Sequence, residues 1–146
     1  MSEVHHQPRT SLFAQEPARS LEPGERMRFE QDGFLRLGRI LTDEQVKLLR
    51  ARLEHLVEHL DALEGDLHEV EAAWRARPDE VVLHLLGAWR VDDAFHDLVA
   101  HPGLVHRVEE ALGCEGLRLW HDQVFVKPAH HPGAVSYTHL TLPTKA

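Results

Sequence analysis

The chain of 146 residues holds a single cysteine, Cys114. That excludes an intramolecular disulfide framework and any cysteine-based structural zinc site. Basic charge is also short. Sixteen Lys and Arg face 24 Asp and Glu, a formal charge of −8, which is the wrong sign for broad nucleic-acid binding. Nothing approaches the roughly 18 consecutive apolar residues of a membrane span. Met1–Gln15 has no apolar signal core, so a cytoplasmic location is expected, with no membrane partner. There is no Gly-rich phosphate loop and no G-x-S-x-G nucleophile elbow. What is plentiful is histidine, 13 residues, the side chain most often used as a metal ligand and most easily switched near neutral pH.

The chain divides into three parts. Residues 1–24 mix Pro, Ser, Gln and charge without an apolar period and read as a disordered leader carrying His5 and His6. Residues 25–134 form the folded domain. Within it, Phe29–Leu41 reads as an Asp32-Gly33 turn followed by a strand. Thr42-Asp43-Glu44-Gln45 has the capping-box form. A long helix then follows, with Val46, Leu49, Leu53, Leu56, Leu60 and Leu63 at heptad spacing and Gly65 as its stop. That seam fits either a coiled-coil dimer or a single helix packed on its own core. The run is short for a coiled coil, so a homodimer is possible but not favoured. Leu67–Arg77 reads as a second helix, Val81–Leu86 as a short buried strand, Asp92–Ala100 as a helix, and Leu104–Leu112 as another ending at Gly113.

Leu117–Lys127 is the clearest strand. Its alternation puts Leu117, Leu119, His121, Gln123, Phe125 and Lys127 on one face and Arg118, Trp120, Asp122, Val124 and Val126 on the other. A half-polar face of this kind suits a strand lining a wet pocket, or an edge strand.

Several histidine motifs suggest metals. His55-Leu56-Val57-Glu58-His59 matches the H-x-x-E-H pattern of a zinc hydrolase class. On a helix the pair falls about 90–130° from the leucine seam, on the solvated side, with no third ligand in view. His59 and Asp61 diverge on a helix and cannot chelate together. His121 and Asp122 point to opposite faces of a strand. His130-His131 follow that strand. Cys114 has no base partner and reads as a buried or inert thiol.

The last twelve residues, Val135–Ala146, differ in style, with three Thr and the chain's one Tyr. VSYTHLTLPT also resembles the in-frame translation of a transposon-end sequencing adapter. This segment, with His139, is expected to be non-native, and the chain is expected to be the N-terminal piece of a longer protein.

Three stretches resemble the phytanoyl-CoA dioxygenase family: FEQDGFLRLGRILTDEQVKLLRARLE, FHDLVAHPGLVHRVEEALG and LRLWHDQVFVKPAHHPG, together covering roughly residues 25–133. The resemblance implies an α+β fold: the N-terminal helices and first strands of a double-stranded β-helix (jelly-roll, cupin-like), truncated before most of the barrel. It implies an Fe(II)- and 2-oxoglutarate-dependent oxygenase acting on a small molecule, with iron held by two His and one carboxylate. In the family a W-H-x-D type segment follows the Lys-Pro loop. Here the adapter-like tail begins at that point, so no catalytic residue and no metal ligand is expected in this chain. The chain itself is expected to be inactive, with neither Fe(II) nor 2-oxoglutarate bound. Gln123, four residues before Lys127, occupies a position that contacts 2-oxoglutarate in the family. Lys127 shares its strand face, and His84 is a third cosubstrate-contacting candidate.

Overall fold

The computed structural model describes Arg9, Thr10, Phe13, residues 20–129 and His131, with only the backbone of Glu64. The element order is α1 (Glu25–Asp32), α2 (Asp43–Glu58), α3 (Leu60–Leu63), a 3-10 turn (Glu64–Asp66), β1 (Glu69–Val70), β2 (Leu83–Leu86), α4 (Ala88–Val91), α5 (Asp93–Leu98), α6 (Pro102–Leu112) and β3 (Gln123–Val126). The strands form one antiparallel sheet in the order β1-β2-β3. The described fold is therefore α+β: helices with a small antiparallel sheet. No described helix is long and apolar enough to cross a membrane.

Local chemistry explains most boundaries. Thr42 Oγ1 accepts from Gln45 N, and Gln45 Oε1 accepts from Thr42 N, closing the capping box that starts α2. His101 caps α6 through Nδ1, which accepts from Gly103 N at 3.1 Å, and Pro102 fills the first helical position. Gly113 ends α6 in the left-handed region at φ 65.

The core forms where the seam of α2 and α3 meets the sheet. Leu56, Leu60, Leu67, Leu83, Leu85 and Ala88 are buried together, with Trp74, Phe95, Val124 and Val126 packed against them. Leu56 and Leu60, two members of the heptad seam, are thus used by the chain's own core.

Besides α1 and α4, which the sequence reading did not place, four elements differ from it. The segment 34–41 is not a strand; Phe34 is exposed, and no sheet neighbour reaches it among the described residues. The expected single helix over 46–63 breaks at His59, and α3 and the 3-10 turn carry the chain on. Leu67–Arg77 is not a helix. His68 N donates to Leu86 O and Glu71 N to His84 O, so pairing with β2 overrides the i, i+4 spacing of Val70 and Trp74. The strand read over 117–127 is paired only at Gln123–Val126.

The residues described from the expected leader are docked. Arg9 and Thr10 both donate to Asp97, and Phe13 is 2% exposed with its ring edge-on to His101. The expected foreign segment Val135–Ala146 lies outside the described residues.

Candidate functional site

The β2 sequence is apolar and Leu-rich, and its alternate residues separate two environments. Leu83 and Leu85 are fully buried in the core. His84 and Leu86 point to the opposite face of the sheet. Gly87 ends the strand at φ 96, and a Cβ there would lie 3.0 Å from the His68 backbone nitrogen, so glycine is required both for the turn and for the close approach.

β3 is positioned from this turn. The Asp122 carboxylate accepts from Gly87 N at 2.9 Å and from Trp89 N at 3.0 Å, tying the start of β3 to the head of α4. Gln123 then falls opposite Leu86, and Phe125 opposite His84. Opposed residues share a face, so Gln123, Phe125, His84 and Leu86 lie together on the outer face of the sheet. Alternation carries Lys127 to the same side, one step past the paired strand. Val124 and Val126 turn inward.

The His84 ring lies flat on Phe125, with centroids 4.5 Å apart and 7° between planes. Its Nε2 is buried and has no hydrogen-bond partner among the described residues. Such an orphan costs about 1–3 kcal/mol until something satisfies it. Gln123 and Lys127 are exposed beside it. An amide, an ammonium and an unsatisfied imidazole nitrogen on one face offer hydrogen-bonding groups and one positive charge to a small polar ligand. All three sequence-derived candidates thus share a face. Two surface cavities, of about 680 and 360 Å³, lie elsewhere, one between residues 21–26 and the end of α6, the other around Ile40, Val46 and Leu104.

The other motifs separate. His121 is exposed while Asp122 turns inward to its backbone donors, so they do not share a ligand position. His131 Nε2 donates to Glu80 O at 2.8 Å, and His130 lies outside the described residues, as do His5, His6 and His139. Cys114 is exposed, which removes burial from the expected buried or inert thiol. Among the described residues no three His, Cys, Asp or Glu side chains are grouped to hold a metal ion.

Sequence reasoning missed three structural carboxylates. Asp122 is one. Asp92 caps α5 at Ala94 N and Phe95 N and pairs with Arg52 Nε at 2.6 Å. Asp97 accepts from Arg9 N, Thr10 N, Thr10 Oγ1 and His96 Nδ1 at 2.6–3.0 Å. Burial pushes the Asp97 carboxyl up, but these donors outweigh it and hold it well below the usual carboxylate range. The only sequence signal was at Asp92, an N-cap residue type directly before an apolar-patterned helix.

A family model described as phytanoyl-CoA dioxygenase (PhyH) matches residues 29–141, which takes the match into the segment beginning at Val135. Comparison with curated proteins and with solved structures finds no significant match.

Proposed function

The chain belongs to the phytanoyl-CoA dioxygenase family, and from that premise we propose that it supplies the cosubstrate-binding wall of an Fe(II)- and 2-oxoglutarate-dependent oxygenase. The observation that supports this most is the β2–β3 register, which sets His84 and Gln123 on one open face with Lys127 beside them. Lys127 would take a carboxylate as a point charge, and the Gln123 amide would donate a directional hydrogen bond. The buried Nε2 of His84 would gain the partner it lacks. Phe125, stacked on that ring, would hold its plane and keep water from one side. Bound Fe(II), with 2-oxoglutarate, supplies the O₂ chemistry that hydroxylates an unactivated C–H bond of a small-molecule substrate. We assign no metal ligand in this chain, because no W-H-x-D type segment follows Lys127-Pro128. On this reading the described sheet is the beginning of a jelly roll, and Val135–Ala146 is foreign to it.

Two experiments test the proposal. Incubation of this chain with Fe(II), ascorbate and 2-oxoglutarate should give no succinate above the metal-free blank; clear Fe(II)-dependent turnover overturns the claim of inactivity. Sequencing the source DNA across codon 134 should reveal a W-H-x-D type segment in place of Val135–Ala146. A stop codon directly after Ala146 in that DNA overturns the oxygenase reading.

A further inference from the structure

His55 and His59 meet at the C-terminal end of α2. Their ring centroids are 4.1 Å apart, with 37° between planes. His59 Nδ1 lies 2.9 Å from the His55 carbonyl oxygen. A carbonyl oxygen only accepts, so Nδ1 carries the proton and the neutral ring presents a bare lone pair at Nε2. Metal-bound histidines commonly use this arrangement, one ring nitrogen donating to a backbone carbonyl while the other ligates. Both residues are exposed.

The surroundings favour a cation. Glu58 sits in the same last turn, with Glu54 directly before His55, and the carbonyl end of α2 adds partial negative charge. The neighbouring Asp61 carboxylate is engaged by Arg75 Nε at 2.8 Å.

We propose that His55 and His59 form an open, two-imidazole chelate site for a late first-row divalent cation (zinc, nickel or copper), with water filling the remaining positions. Imidazole nitrogen suits these ions over magnesium or calcium. No third protein ligand closes the site among the described residues, which separates it from a hydrolase centre and makes it exchangeable. His59 is also the cap residue at which α2 stops, its N–H donating to His55 O at 3.1 Å, and Leu60 directly after it is buried in the core. A metal bridging the two rings clasps the turn that this backbone bond already closes, so metal binding and order at the helix end are linked. The site is independent of the oxygenase reading.

The test titrates the full chain with copper(II) by calorimetry, beside a background variant in which His5, His6, His130 and His131 are replaced by Ala. Both proteins should show one saturable equivalent. His55→Ala and His59→Ala, made separately in the background variant, should each weaken it by about a hundredfold, since each leaves a monodentate ligand. Far-UV circular dichroism should show both variants folded, because both side chains are exposed. In the unsubstituted protein, substoichiometric copper(II) should broaden the His55 and His59 ring resonances first, a readout that needs no variant. The proposal is overturned if the background variant binds no saturable equivalent, if binding survives either substitution undiminished, or if other histidines broaden first.

Discussion

Replacing Asp97 with Asn tests whether the N-terminal segment is part of the fold. The Asp97 carboxylate is 2% exposed and gathers two backbone N–H groups, one hydroxyl and one imidazole N–H. Hydrogen bonds to a charged group contribute about 1.5–3 kcal/mol each when lost singly, though contacts within one network do not add. Asn keeps one acceptor oxygen and turns an NH₂ group toward donors. A net loss of about 3 kcal/mol is therefore expected, a large share of a stability of roughly 5–15 kcal/mol. In thermal unfolding that is a drop of about 10 °C for a domain of this size. The pH dependence gives a second signature. Asp97 is depressed in the folded state, so its contribution is fully present above the unfolded value of 3.8. It is lost as pH falls below that value towards the folded one. The gap between wild type and Asp97→Asn should thus be constant near neutrality and shrink in acid below about pH 4. Urea unfolding at pH 7, 5 and 3.5, with limited trypsin cleavage after Arg9 as a local probe, measures both effects. A variant within about 0.5 kcal/mol of wild type at pH 7, cleaved no faster at Arg9, would refute the argument that these bonds hold the segment.

Other perturbations have equally definite outcomes. Leu85→Ala removes a fully buried side chain from the centre of the sheet and should cost about 2–5 kcal/mol in urea unfolding. Thr42→Ala opens the capping box and should cost about 1 kcal/mol, with a matching loss of helical signal near the midpoint. Asp122→Ala leaves the Gly87 and Trp89 N–H groups without their acceptor; about 1–3 kcal/mol is expected, and hydrogen exchange at those two amides should speed up. Gln123→Ala and Lys127→Ala, at exposed positions, should change stability by less than about 0.5 kcal/mol. If the proposed function holds, an active, longer form should instead show a raised KM for 2-oxoglutarate in both variants.

Features encoded within a few residues were legible from the chain alone. Thr42 and Gln45 mark a helix start by their own chemistry, Gly113 marks the end of α6, whose start lies at Pro102 and not at the Leu104 read from the sequence, and the apolar run at Val81–Leu86 contains β2. The outer sheet face was readable too, because strand alternation places Gln123, Phe125 and Lys127 together before any partner is known. What alternation could not supply was the neighbour. His84 joins that face only through a register set across the intervening helices. The same limit explains the misread segments. Val70 and Trp74 carry a helical spacing, yet the backbone of His68 and Glu71 finds acceptors on β2. Asp97 looks like an ordinary surface helix residue until Arg9 and Thr10 arrive from 88 and 87 residues away. The leader has no apolar period, so nothing local marked Phe13 as a residue to be buried.

β2 and β3 are hydrogen-bonded neighbours, yet the whole of α4, α5 and α6 lies between them in the chain. Closing so long a loop costs entropy before any sheet contact repays it. A chain emerging from the ribosome can form α2 and α6 from contacts within each helix, but β2 must wait for the segment around Asp122 to be synthesised. During that interval the edge that later receives β3 is bare, and Leu83 and Leu85 lack the cover of Val124 and Val126. Aggregation during synthesis should therefore be governed by how quickly β3 arrives, not by how firmly the finished sheet is held.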